Sequence, residues 1–503
     1  MNQEYSDLPS AGPIYSATDA IYAWLCFLLA FLFWQVSPVT EHPLGGFLLI
    51  LAIYITGFIV LAAKKVKLSP TSILSAIFSL IIAGVLILSE SSFLLRLAYT
   101  YCLASYGYFL YAAFGNTAEK GFSNYIYLDY FKALCIFPFR SFFDAFYAIF
   151  SESTKKVSGV FFKILIGCGM AVIPTMLVLF LLSYDDGFCA IVDNLFTFRP
   201  TSVLRLIRRL FIAIPLGLYG FGLYCSSYRG VAQDKLTIEY CNKRLNDAKI
   251  LPQITAIVAV LPILFLYVVF FISQWKYYIS GFTGVLPENF SYAEYARQGF
   301  FQLCAVSVIN LVLIIFVAIF IRRGYQNKGI VLKILTVIFC LFTLILISTA
   351  VAKLIMYINY YGLTQKRVFA MWAMTLIAII FLVIAIGQFI PRIPIVAVSL
   401  SITLVLFAAL GLCNINTLIA NYNADRYLSG TLQTIDVDAM EELGDSAVPA
   451  LVDIATHTDD QTLKNTLDEI LHKTAQELEK KKGSLFQWNL PAFLARRALQ
   501  KYQ

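Results

Sequence analysis

The sequence predicts an all-α, polytopic transmembrane helix bundle of about eleven spans with a small helical C-terminal cap. Three observations predict it. Of 503 residues, 59% are hydrophobic and 14% charged, whereas soluble domains carry about 25% charged residues. The apolar residues gather into runs near the roughly 20 residues that a bilayer-crossing helix needs. Most of the positive charge between those runs falls in alternate loops.

Residues 1–18 form a polar N-terminal segment without Lys or Arg. The first apolar run has no small-residue cleavage site at its end, so it reads as a retained helix rather than a signal peptide. The expected spans are roughly 19–36, 44–63, 71–88, 92–114, 160–183, 203–225, 252–275, 299–321, 330–352, 368–390 and 393–413. Together, residues 19–416 make the transmembrane domain. The sixth span is the least apolar at its start, where Arg205, Arg208 and Arg209 crowd together. Between the fourth and fifth spans, residues 122–150 are aromatic-rich but carry Asp129, Lys132, Arg140 and Asp144, with Pro138 interrupting. Charge is costly at the bilayer centre, so this segment is expected as one or two amphipathic helices on the inner surface. A re-entrant or spanning segment is the alternative.

Residues 417–503 change composition abruptly and predict a helical C-terminal domain. Ser446 is placed to cap a short helix starting at Ala447, and Asp459 or Asp460 a longer one. Along the longer helix Leu463, Leu467, Ile470, Leu471, Ala475 and Leu478 share one face. Lys480, Lys481, Lys482 and Gly483 close it, and a last helix begins near Pro491. Gly444–Ala455 (GDSAVPALVDIA) resembles one HEAT-type helix. One copy makes no solenoid, so a cap docked on the membrane domain is preferred.

The net charge of +8 belongs to topology rather than to nucleic acid. Lys64, Lys65 and Lys67 follow the second span. Lys120, Lys132, Arg140, Lys155 and Lys156 follow the fourth. Arg229, Lys235, Lys243, Arg244 and Lys249 follow the sixth, and Arg322, Arg323 and Lys328 the eighth. Cytoplasmic loops carry such an excess. The alternation puts the N-terminus in the cytoplasm and, with eleven spans, the C-terminal domain outside the cell membrane. One span more or fewer would flip that end. The loop holding Lys353, Lys366 and Arg367 is the main exception.

Several chemistries lack their residues. The ten cysteines are dispersed with no CxxC, giving neither a disulfide frame nor a metal site. His42, His457 and His472 are isolated, which argues against zinc catalysis and a Ser–His–Asp triad. No phosphate-binding glycine loop is present, and Gly217–Gly222 (GLYGFG) reads as a helix-packing stripe. No cofactor is expected.

Three polar-aromatic patches converge on the predicted outer face as a candidate ligand-binding site. Ser291–Gln302 (SYAEYARQGFFQ) carries Tyr292, Glu294, Tyr295 and Arg297, with Glu294 and Arg297 three apart and able to pair. Lys353–Arg367 (KLIMYINYYGLTQKR) offers Tyr361, Thr364 and Arg367; Gly362 suits a turn, and Thr364 a helix cap. After the last span come Asn414, Asn416, Asn421, Asn423, Asp425, Arg426 and Tyr427. Each patch has an arginine, a strong anion donor. A structural network tying the cap to the membrane domain explains the same residues.

YAEYARQGFFQL at 292–303, YYGLTQKR at 360–367 and NYNADRYLSGTLQTIDVDAMEELGDSAVPAL at 421–451 also resemble the landmarks of a bacterial integral membrane family. It is catalogued as domain of unknown function number 4173, related to number 4153. The resemblance covers roughly the last half to two-thirds of the chain, and the first 150 residues carry none of its landmarks. It implies an integral membrane protein, found mainly in Gram-positive bacteria, without an established activity or catalytic residues.

Three functions remain in order. A sensor or scaffold would bind a ligand or partner at the outer face. A transporter or flippase would move a lipid-like or anionic molecule, although no intramembrane carboxylate typical of ion coupling is evident. A membrane enzyme on lipid-linked substrates would use Glu294 as base, Arg297 and Arg367 as anion clamps and Asp425 as a second acid. The expected partners are membrane lipid and, through the C-terminal domain or the basic inner loops, a protein.

Overall fold

A computed structural model describes residues 15–36, 39–119, 121, 123–150, 200–230, 239, 243, 246–283, 300–321, 330–390, 392–480 and 485–502. Its helices are α1 (Ala17–Val36), α2 (Pro43–Ala63), α3 (Pro70–Ala83), α4 (Val85–Leu88), α5 (Ser92–Ala113), α6 (Ile126–Phe131), α7 (Phe137–Arg140), α8 (Asp144–Phe150), α9 (Pro200–Arg229) and α10 (Gln253–Thr283). They continue with α11 (Phe300–Phe320), α12 (Ile330–Tyr361), α13 (Gln365–Phe389), α14 (Ile395–Leu412), α15 (Ile415–Leu428), α16 (Val437–Glu441), α17 (Val448–His457), α18 (Gln461–Lys480) and α19 (Leu490–Tyr502). Among the described residues there is no strand, only one isolated bridge between Leu251 and Ile321. The chain is an all-α, multi-pass membrane protein.

Among the described residues, eight helical stretches are long and apolar enough to cross a membrane, or nine if one bent pair counts as a span. The eight are the expected second, third and sixth to eleventh spans. Eleven were expected; two of the other three differ for local reasons, and the third cannot be compared. The apolar part of α1 is the shorter Ala17–Phe33. Helix α5 has Tyr99, Tyr101, Tyr106, Tyr108 and Tyr111 along its length, which dilute its hydropathy. The expected span at 160–183 lies outside the described residues.

Helices α1–α5 and α9 form one bundle with an aromatic core. Tyr54, Tyr111, Tyr224, Phe109 and Phe221 are fully buried there. A buried phenol needs a partner for its hydroxyl. The Tyr22 and Tyr106 hydroxyls share a 2.7 Å hydrogen bond, and the Tyr224 hydroxyl donates to Asp19 at 2.6 Å.

Residues 126–150 are a bent pair of apolar helical segments, folded by 52° and packed on α9, α5 and α1. Pro138 explains part of the shape, because a proline cannot donate to the carbonyl four residues earlier. That carbonyl, Leu134, accepts instead from the Tyr219 hydroxyl at 2.7 Å. The backbone between α6 and α7 widens into a π-helical turn, Lys132–Ile136. At Gly222 an added Cβ would lie 2.2 Å from the Pro138 carbonyl oxygen, so only glycine lets α9 approach this closely. The packing role expected for the GLYGFG stripe holds there.

Helices α10–α13 form a second, more apolar group. Its internal polar tie runs from the Tyr267 hydroxyl to Asn310 Oδ1 at 2.6 Å, and from Asn310 Nδ2 to Thr343 Oγ1 at 2.9 Å. Such inter-helix bonds average about 0.6 kcal/mol in membranes. Helix α14 packs against α3 and α4 on one side and α13 on the other, joining the two groups.

Helices α15–α19 build the C-terminal part. Asp436 caps α16 by accepting from the Ala439 amide at 3.0 Å. Asp460 caps α18, accepting from the Thr462 and Leu463 amides at 2.9 and 3.1 Å. Leu467, Leu471 and Leu478 are buried as the spacing required. The expected Ser446 cap does not form, because residues Gly444–Ala447 make a 3-10 turn and the Ser446 hydroxyl is drawn elsewhere. Met440, Leu443, Val448, Leu451, Ile454, Leu467 and Leu499 belong to the same hydrophobic cluster as the α1–α5 bundle. The cap and the membrane helices therefore share one core.

Candidate functional site

Side-chain contacts sort the helix ends into two opposite groups. At one end the starts of α2, α5, α13 and α15 meet the C-terminal helices. At the other, residues 16–19, 64, 116, 144 and 224–229 come together, and Asn124 accepts from the Val396 amide at 3.1 Å. Among the described residues, loops expected on the same side of the membrane meet.

At the capped end, Gly362 turns the chain from α12 into α13 with φ +75°. A Cβ there would sit 2.6 Å from Asn423 Oδ1. That oxygen accepts from the Leu363 amide at 2.7 Å, while Asn423 Nδ2 donates to the Leu363 carbonyl at 2.9 Å. Asn423 thus clamps the turn with both halves of its amide. Gln365 donates to Asn416 at 2.9 Å, and Asn416 donates to the Leu443 carbonyl at 3.0 Å. The chain of amides links α13 through α15 to the cap.

Both described arginines of the candidate site lie in this junction. Arg426 donates to the carbonyls of Ile358 at 3.3 Å, Asn359 at 2.8 Å and Thr431 at 3.0 Å. Arg367 donates to the carbonyls of Tyr361 and Gly362, and its guanidinium lies 4.3 Å from the Tyr357 ring centroid. Of these acceptors, the Asn359 and Tyr361 carbonyls lie at the end of α12, where an α-helix leaves carbonyls unpaired, and the Ile358 carbonyl also takes the Gly362 amide at 2.8 Å. The arginine bonds also place cations at the negative end of the α12 dipole. Tyr361 packs against Tyr357 and Tyr360. Asp425 is solvent-exposed on α15. Thr364 occupies the cap position of α13 but its side chain makes no capping bond; only its carbonyl accepts, from Arg367 and Val368. Tyr292, Glu294, Tyr295 and Arg297 lie outside the described residues.

One junction residue had no place in the sequence reading. Glu90, in the short link between α4 and α5, accepts from the Ser446 amide at 2.8 Å and from its hydroxyl at 2.9 Å. Burial, then the neighbouring Asp445 carboxylate, push its carboxyl up to about 7. The sequence signal was slight: one acid flanked by serines at the end of an apolar run.

The opposite end is built differently. Lys64 pairs with Asp19 at 2.8 Å, with 10% and 8% of their side chains exposed. Asp19 also accepts from the Tyr224 hydroxyl and from the Ser16 amide and hydroxyl. Lys64 stands 4.6 Å from the Tyr228 ring centroid. Beside it Arg229 pairs with Asp144 at 2.7 Å. An acid at the start of the first apolar run was the available signal for this cluster.

Among the described residues no group of His, Cys, Asp or Glu could hold a metal ion. No curated protein and no solved structure matches the chain. A family model described as a domain of unknown function, DUF4153, matches residues 71–454. The match is to the relative of the family first suggested by resemblance, number 4173, and it starts within the stretch where no landmark had been found. It takes in α3 to α17, and so both sides of the Glu90–Ser446 contact. By that match over more than half of its length, the chain belongs to the DUF4153 family.

Proposed function

We propose that the protein is a sensor or scaffold of the cell membrane whose C-terminal helical domain engages a ligand or protein partner outside the bilayer. One observation carries this reading: the polar groups at the capped end are committed to holding the domain. Arg367 and Arg426 bind backbone carbonyls, and Asn416 and Asn423 bind neighbouring segments. A carrier or an enzyme needs such groups turned towards substrate. A rigid junction instead suits a device that presents one domain against a membrane anchor. The excess of Lys and Arg in the opposite loops supports a cytoplasmic N-terminus and an outward C-terminal domain.

The test pairs two measurements on the full chain. Photo-crosslinkers at exposed α18 positions such as Asn465, Glu469 and Lys473 in native membranes should give a discrete protein adduct. Proteoliposomes should move neither a fluorescent phospholipid nor a small anion faster than empty vesicles. Transport above that background, with no adduct, would put the transporter reading first.

A further inference from the structure

Beyond residue 428, the large hydrophobic side chains that stand exposed among the described residues all fall in one short stretch. They are Leu485, Phe486, Trp488 and Phe493, at 71%, 51%, 37% and 48% exposure. Elsewhere the described part of the C-terminal domain buries its large apolar groups wholly or in part. Such a concentrated patch marks an interaction surface.

The stretch is held in place. Residues 485–487 form a short 3-10 turn packed on α2. The buried Asn489 side chain caps α19, accepting from the Ala492 amide at 2.7 Å. A Cβ at Gly45, in the first turn of α2, would lie 3.4 Å from the Phe486 side chain. Below Gly45, Leu48, Ile55 and Ile59 form an exposed apolar stripe on this spanning helix. At 100° per residue these three fall within a narrow arc, and Gly45 borders it. The patch therefore continues the lipid-facing surface of α2 past the end of the span. On α19, Arg497 and Lys501 follow Phe493 at intervals of four, on the same face, and both are exposed.

We propose that residues 485–493 form a membrane-surface anchor, with Leu485, Phe486, Trp488 and Phe493 seated in the lipid leaflet that surrounds this end of α2, and Arg497 and Lys501 facing anionic phospholipid headgroups. Tryptophan and phenylalanine suit this depth, where apolar rings meet hydrated headgroups. Basic side chains at the surface draw anionic lipid. The C-terminal domain is thereby held twice, through its amide junction and through the leaflet. This inference does not depend on the proposed function.

The test uses the full-length protein in nanodiscs of phosphatidylcholine, with and without phosphatidylglycerol. The contribution of Trp488 is the fluorescence difference between the wild type and W488F. The anchor predicts that most of this difference is lost when the lipids are brominated near the headgroup end of their chains. It also predicts that iodide in the buffer barely quenches it, and that lipid quenching is stronger with phosphatidylglycerol. Placing the indole at F493W in the W488F background should restore the lipid-quenched signal, which guards against a folding defect in one variant. Quenching by iodide but not by brominated lipid would overturn the anchor. Shielding from both would also overturn it, and would assign the patch to a protein contact such as a second copy. Equal quenching with and without phosphatidylglycerol would remove the headgroup role of Arg497 and Lys501.

Discussion

The two ends of the helix bundle neutralise their charges in different ways. At the end holding the start of α1, cation meets anion: Lys64 with Asp19, and Arg229 with Asp144. At the capped end, Arg367 and Arg426 are matched by carbonyls, and Glu90 by a serine amide and hydroxyl. An ion pair fails badly when one member is lost, because the other is left charged and buried. Carbonyl-solvated arginines spread their bonds over several backbone groups. A buried carboxyl without a cation takes a proton instead. The first end should therefore resist pH and break under single mutation, whereas the second should respond to pH.

The largest expected effect comes from breaking the buried pair. K64M leaves the Asp19 carboxylate without its cation, at a cost of about 3–5 kcal/mol. D19N/K64M together should recover much of the loss, since neither charge remains. Chemical denaturation of the single and double variants in detergent measures this, and strict additivity would contradict the pairing.

Glu90 gives the next effect, and its sign is unusual for an acid. Its folded value, about 7, lies above the ordinary 4.5. A raised value favours the protonated form in the fold, so its contribution is complete below about pH 4.5. It falls as pH rises towards 7, by at most about 1.4 kcal/mol per pH unit. Thermal unfolding across that window should show the decline, with E90Q flattening it and D19N leaving it in place. A decline equally steep in E90Q would assign the dependence to another group.

Gly362 tests the capped end alone. G362A forces a left-handed conformation on alanine, at about 1–2 kcal/mol, and drives a methyl into the Asn423 clamp. Proteolysis of the cap should become faster while the Lys64–Asp19 end stays intact. Smallest of all is the exposed Lys473–Glu441 pair. K473A should leave the unfolding midpoint unchanged, as isolated surface pairs usually do.

Much of this was legible in the chain. Eight apolar runs became spanning helices because length and hydropathy suffice for that inference. Gly362, Asn416, Asn423 and Arg426 stood out because polar side chains at a span end are few. What they would bind was harder to read, since a sequence shows donors but not the carbonyls that receive them. Ser446 looked like a helix cap until a carboxylate 356 positions away claimed its hydroxyl. Glu90 stayed hidden for the same reason. Thr364 sits where a cap belongs, yet Arg367 and Gly362 settle that turn through backbone contacts.

At the capped end the arginines hold the domain rather than an anion. The most direct measurement is the unfolding midpoint of the full chain in nanodiscs, with inorganic phosphate titrated into the wild type, R367Q and R426Q. Phosphate should not move the wild-type midpoint beyond the shift given by sodium chloride of equal ionic strength, and both variants should be lower at every concentration. A phosphate-dependent rise in the wild type that vanishes in R367Q or R426Q would contradict it, because a ligand that binds the fold must raise its stability.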